Sequence, residues 1–345
     1  MASTANRKAI ERLQQQADAV RLAAEVYDDD VVRACAVAAA DTIQAIANKR
    51  TREEPILALP GNASDSELRE ARLHQAVSRG IEVYLPSWRE GQTGLPNLLL
   101  RSALFAAANL VDEAVSEETI ATQGDTSITL TGFRLTGYDK RVFAVCLDHY
   151  RQAQPLSTPQ DIAWIRISYW QFAKALGVEP GTNVFKAVRG SLIRLNAAHL
   201  RLRIRRRDIP LPSLIDVAFD DGHDATPGSC QIKGADIIAF RIPDSMAALF
   251  GPQQWTAVSK SALHDFSGLP AWLASFYSTH AKPYPLQVSD LRKYSGVVCD
   301  LREFRRRLKT ALDKLQGEDI PAAIRVAGYE LQGTVITVRL TRWQA

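Results

Sequence analysis

The chain has 345 residues, 46% hydrophobic and 23% charged, which is enough apolar material for more than one core and too little charge for a disordered polyelectrolyte. Its net charge of +4 at pH 7 is small, but the excess is gathered in arginine clusters, and local density is what a polyanion senses, so nucleic acid is a candidate partner. No apolar run reaches the roughly 20 residues that cross a bilayer; MASTANRKAIERLQQQ lacks the apolar centre of a secretion signal, and Cys35, Cys146, Cys230 and Cys299 show no C-x-x-C spacing, so membrane, export, zinc and disulfide classes drop out and the expected compartment is the cytoplasm.

Residues 1 to about 50 carry helical periodicity. Ile10, Leu13, Ala17, Val20 and Ala24 recur at steps of three and four, Asp28 to Asp30 break the pattern, and an Ala-rich stretch from Val31 to Lys49 follows. A partner-binding arm and a local helical hairpin both fit. TREEPILALPGNAS, residues 51–64, reads as a linker, so residues 1–80 form a helical extension.

From Leu95 the run LPNLLLRSALFAAAN predicts a buried helix bearing one charge, Arg101. ITLTGFRLT alternates as a strand, and Gly137 opens a helix whose stripe of Val142, Cys146 and Tyr150, flanked by Phe143 and Leu147, faces a core. Ser168 is an expected N-cap for YWQFAKALG, which Gly177, Pro180 and Gly181 terminate. Thr182 is then an expected cap for a helix beginning at Asn183. Val184, Val188, Leu192 and Leu195 make its core stripe, while Asn183, Lys186, Ala187, Gly190 and Arg194 gather opposite, with Arg189 beside them. That polar face suits a DNA-reading helix: Lys and Arg reach phosphate or guanine, and Asn pairs with adenine.

In HLRLRIRRR, Leu200, Leu202 and Ile204 alternate with Arg201, Arg203, Arg205 and Arg207, so a strand would display four guanidiniums on one face, a phosphate-contacting pattern. GADIIAFRI is its expected return strand, with the turn tip inside DDGHDATPG. The first domain is thus expected over 81–242 and the second over 243–345. In the latter, PAWLASFYSTH is an apolar helix and Val288 to Tyr294 a short one with Ser289 as cap. Leu301, Phe304, Leu308, Leu312 and Leu315 form the apolar side of a helix whose other side carries Arg302, Arg306 and Lys309, with Arg305 and Arg307 on the flanks. A closing hairpin, Ala323–Ala327 and Thr334–Thr341 around GYELQG, carries Arg339 outward. Helices followed by a hairpin predict two tandem winged-helix domains after a helical extension, an α+β, mainly helical chain.

Enzymatic readings fail on inventory. The dipeptide Gly-Lys of a P-loop occurs nowhere, and histidines 74, 149, 199, 223, 264 and 280 never stand one residue apart as a nicking metal site requires. His223 near Asp220, Asp221 and Asp224 reads as a solvated turn, and His264 with Asp265 and Ser261 as a helical coincidence. The expectation is a binding protein without catalytic residues, metal or cofactor.

LPSWREGQTGLPNLLLRSALF, SITLTGFRLTGYDKRVFAVCLDHYRQAQ and FYSTHAKPYPLQVSDLRKYSG, in this order across residues 85–345, resemble the TrfA family of plasmid replication initiators. The resemblance implies tandem winged helices that bind iteron repeats in double-stranded origin DNA, open an adjacent AT-rich segment, engage its single strand and recruit host DnaA, the replicative helicase and the sliding clamp, with no ATP hydrolysis and a monomer-dimer equilibrium. It also implies a clamp-binding peptide of the form Q-L-S-L-F. Here that position reads Glu82, Val83, Tyr84, Leu85, Pro86, which replaces the Gln and the Phe and leaves Tyr84 and Leu85 as candidates. An operator-binding transcriptional regulator or partition protein of the same fold, and a scaffold for acidic proteins, remain alternative readings of the same residues.

Overall fold

The computed structural model describes residues 2–25, 32–34, 36–44, 47, 85, 88–108, 113–153, 164–204, 207–220, 232–250 and 253–341. They fall into two compact units, Met1–Ser87 and Trp88–Ala345. In the first, helix α1 (Ala2–Ala24) buries Ala17 and Ala24, and helical residues 36–44 bury Ala40. Arg21 of α1 donates to Asp41 at 2.9 Å, which ties the two helical stretches together. The linker expected over 51–64 lies outside the described residues.

The second unit opens with β1 (Gln92–Pro96), a four-residue helix α2 (Asn97–Leu100), β2 (Phe105–Ala106), and the strands β3 (Ala114–Ile120), β4 (Thr126–Phe133) and β5 (Leu135–Thr136). Leu95, Leu99, Leu100, Leu104 and Phe105 are buried as the apolar run foretold, but not as one helix. Pro96 is extended and caps α2, and Ser102 diverts the chain by donating to the Leu99 carbonyl at 3.0 Å.

Two stretches then repeat one order of elements. The first runs α3 (Gly137–Ala153), β6 (Ile165–Ser168), α4 (Tyr169–Ala175), α5 (Thr182–Ala197), β9 (Asp216–Asp220) and β10 (Ile237–Arg241), with the insertion β7 (His199–Ile204) and β8 (Arg207–Leu211) after α5. After a 3-10 turn at Asp244–Leu249 come β11 (Trp255–Ser259) and α6 (Lys260–His264). The second stretch is α7 (Gly268–Ser278), β12 (Leu286–Gln287), α8 (Val288–Ser295), α9 (Leu301–Lys314), β13 (Val326–Gln332) and β14 (Val335–Leu340). Each stretch closes an antiparallel three-stranded sheet in the same way, β6-β10-β9 and β12-β14-β13: the first strand pairs with the last, and the middle one takes the far edge. The order is helix, strand, helix, helix, strand, strand both times.

Local chemistry sets these elements. Ser168 caps α4 reciprocally with Gln171, as expected. Gly181 rather than Thr182 precedes α5, and Gln287 rather than Ser289 precedes α8. Asp300 caps α9 by accepting the Glu303 N–H at 2.8 Å. Gly296 ends α8 at φ +67, where a Cβ would stand 2.7 Å from that of Ala106, so only glycine lets the β2 segment approach. The closing hairpin turns at Gly333, and GYELQ, expected as its connection, supplies most of β13.

The insertion changes the expected pairing of the arginine strand. β7 pairs with β4 and β8 in the sheet β3-β4-β7-β8, while GADIIAFRI, containing β10, pairs with β6 and β9 instead. Ile120, Ile128, Leu130, Leu200, Leu202 and Leu211 fill the inner face of the four-stranded sheet. Gly132, at φ +134, lies where a Cβ would come 2.2 Å from the Ala197 carbonyl oxygen, so β4 runs hard against the end of α5.

Across position 242 the polypeptide is continuous in space. β1 pairs antiparallel with β11 from Gln92–Ser259 to Pro96–Trp255, and the Trp272 indole donates to the Ser102 carbonyl at 3.3 Å. Arg101, expected as a charge on a buried helix, donates to the Thr279 hydroxyl at 2.8 Å.

Candidate nucleic-acid interface

Helix α5 is held by a buried ionic network that the sequence reading did not anticipate. Asp139, in the first turn of α3, is fully buried. Its Oδ1 accepts from Ser191 Oγ at 2.7 Å and from Arg194 Nε and Nη2 at 3.1 and 2.8 Å; its Oδ2 accepts from the Thr136 amide and hydroxyl at 2.7 and 2.9 Å. Arg194 is therefore withdrawn from the polar face and buried, 8% exposed, so its assignment as a DNA contact is corrected: its fork is spent on docking the helix. A signal was present, because Asp139 stands three and four residues before Val142 and Phe143 and so lies on the core stripe of α3. Phe185, Val188, Leu192 and Leu195 supply the apolar contact, with Val184 only half-buried.

The next residue, Lys140, is buried with no carboxylate partner of its own among the described residues. Its Nζ donates to Ser275 Oγ at 2.8 Å and lies 3.4 Å from the Ala271 carbonyl on α7. Loss of solvent pushes its ammonium down to about 7.

On the outward side of α5, Asn183 and Lys186 are exposed. Arg189 is half-buried, its guanidinium 4.1 Å from the Phe219 ring and 3.5 Å from the Tyr169 hydroxyl, so it packs back onto the domain. The solvent-facing chemistry of this helix thus narrows to Asn183, Lys186 and the small residues Ala187 and Gly190.

Arg201 and Arg203 point outward from β7, in register with Thr129 and Ser127 of β4, and form a hydroxyl and guanidinium surface on the four-stranded sheet. Asp208 of β8 lies 3.9 Å from Arg203. Arg205 and the acidic turn around His223 lie outside the described residues.

Helix α9 buries Phe304, Leu308, Ala311 and Leu312, and Leu315 closes the core after it. Arg302 and Lys309 are exposed with no ion pair among the described residues, and Arg305 is half-buried. Arg306 and Arg307 share one carboxylate: Glu303 accepts from Arg306 Nε and Nη2 at 2.9 and 2.8 Å and from Arg307 Nε at 2.8 Å. The Arg306 and then the Arg307 hydrogen bonds hold the Glu303 carboxyl at about 2, so it stays ionised. Arg339 is exposed on β14 across from Gly328, whose missing side chain leaves room for the guanidinium.

Among the described residues, the exposed members of this set stand on the outer faces of α5 and α9, each the third helix of its stretch, on the outer face of β7 and, with Arg339, on β14. Leu85 is buried, 1% exposed, which removes it from the exposed clamp-contacting role expected of it, because an anchor must be free to enter a partner pocket. Tyr84 lies outside the described residues. No helix among the described residues is long and apolar enough to cross a membrane.

Comparison with known proteins adds three findings. Two crystal structures of domains 2 and 3 of RctB are similar: one has a TM-score of 0.44 at 12% identity, covering 70% of this chain and 97% of that one, and the other a TM-score of 0.40 at 13% identity, covering 68% and 92%. The plasmid replication initiator protein TrfA of Escherichia coli is 22% identical over 241 residues, a match that covers 68% of this chain and 59% of the relative's length. The family model described as TrfA protein matches residues 81–327, well over half of the sequence and nearly all of the unit that carries α5, β7 and α9, and on that match the chain belongs to the TrfA family.

Proposed function

We propose that this chain is a plasmid replication initiator that binds repeated sequences in origin DNA through two winged-helix domains, 81–242 and 243–345, and has no catalytic activity of its own. The observation that carries the proposal is the repeated element order with identical strand order in both sheets, each with a third helix whose outer face is exposed, bearing Asn183 and Lys186 on α5 and several cations on α9, in a member of the TrfA family. In a winged helix that third helix is the one that enters the major groove.

In this reading Asn183 and Lys186 on α5 and Arg302, Arg306 and Lys309 on α9 read successive grooves of one repeat. Arg201, Arg203 and Arg339 contact phosphate and set the register. The bound protein then opens neighbouring AT-rich DNA, holds its single strand and brings in DnaA and the replicative helicase in the cytoplasm. Footprinting on the DNA flanking the gene, followed by permanganate probing of the adjacent AT-rich sequence, tests both halves of the proposal. Regularly spaced protection with reactive thymines beside it is the expected result. Protection without reactive thymines would instead identify an operator-binding regulator or partition protein, and equal binding to random DNA would refute sequence-specific recognition.

A further inference from the structure

Glu303 occupies the third position of α9, after the N-cap Asp300, where an Asp or Ser cap and a Glu commonly bond each other's backbone amides. Here only half of that exchange is made. Asp300 accepts the Glu303 amide, but the Glu303 carboxylate turns forward along the helix to Arg306 and Arg307. In α4 the equivalent Gln171 does reach back to the Ser168 amide, at 3.2 Å. The carboxylate is also shielded, at 28% side-chain exposure, beneath guanidiniums that are 73% and 52% exposed.

We infer that Glu303 is a specificity-determining positioning residue, which holds the Arg306 and Arg307 guanidiniums against capture by phosphate so that random duplex is bound weakly while a guanine in register is still read. The inference rests on α9 being a DNA-reading helix. A phosphate approaching Arg306 meets a guanidinium whose Nε and one Nη2 proton already face a carboxylate in two parallel bonds, and it is repelled by that charge. The outer Nη protons stay available, and they are the pair that bonds guanine O6 and N7. Arg302 and Lys309, which read the groove beside it, are exposed and have no such partner among the described residues. The ion pairs stand at the surface and contribute little to folding, so their removal leaves the protein intact.

The test compares Glu303→Gln with the wild-type full chain on two probes: the duplex protected in footprinting and a random duplex of equal length. Each phosphate newly contacted steepens the slope of log K against log salt by about 0.9 and tightens binding about eightfold at 0.1 M salt. The expected result is a random-duplex slope steeper by about one to two, tighter random binding and a ratio of specific to random affinity reduced about tenfold. Adding Arg306→Ala and Arg307→Ala to the variant should restore the wild-type random-duplex slope. An unchanged slope and ratio, or loss of specific binding with random binding intact, would overturn the inference while leaving α9 as a reading helix. Wild-type affinity for both probes in an Arg302→Ala, Lys309→Ala variant would overturn it by removing the reading on which it rests.

Discussion

Replacing Lys140 by Met should make the protein more stable, and by an amount that depends on pH in a calculable way. The side chain is fully buried, its ammonium held down to about 7 from the ordinary 10.5 by loss of solvent. The folded state therefore binds fewer protons at this site than the unfolded state between those values, and stability rises with pH across that window. Below pH 7 the whole difference of about 3.5 units is paid, or about 5 kcal/mol at about 1.36 kcal/mol per unit; by pH 9 it has fallen to about 2 kcal/mol. Methionine matches the aliphatic stem and carries no charge. It strands no partner either, because the Ser275 hydroxyl still donates to the Ala271 carbonyl at 2.9 Å. Urea unfolding of wild type and Lys140→Met at pH 6, 7, 8 and 9 measures the effect. The variant's advantage should shrink by about 3 kcal/mol across that range. His149 and His264, lowered chiefly by burial, are common to both proteins, and the difference between the two curves cancels their protonation. Parallel pH curves, or a variant less stable than wild type at pH 6, would refute the reasoning.

Asp139→Ala should be strongly destabilising, by about 3–5 kcal/mol in chemical denaturation, because it leaves the Arg194 guanidinium buried without its counter-charge. Gly132→Ala should cost about 1–3 kcal/mol, since the residue is in a left-handed conformation and its Cβ would collide with the Ala197 carbonyl; a thermal midpoint equal to wild type would contradict that geometry. The pair Arg201→Ala, Arg203→Ala should reduce the salt slope of duplex binding by about 1.8 in total and weaken all sequences alike, whereas a loss confined to one sequence would identify a base contact instead.

Element types were largely legible because they follow from period and punctuation. The stripe of α3, the Ser168 cap and the amphipathic pattern of α9 need only local sequence, and the structure has all three. Partnership between distant segments was not legible. The alternation of HLRLRI announces a strand but is equally satisfied by β4 and by β10, and the choice depends on an insertion whose role shows only in three dimensions. The same holds for charge. Arg194 and Lys186 look alike on a helical wheel, and what separates them is Asp139, over fifty residues away along the chain. Arg306 looked like an unencumbered reader until Glu303, one turn earlier, proved to be its partner rather than part of the helix cap.

The pairing of β1 with β11 bears on the order in which this polypeptide can mature during synthesis. Gly94 meets Ala257, so the opening strand must wait, its edge uncovered, until more than 160 further residues have left the ribosome. A ladder closed over so long a stretch forms slowly for its size, and the waiting strand is the place where nascent chains would join one another. A holding chaperone acting on the emerging chain is expected to raise the yield of native protein most when translation is fast.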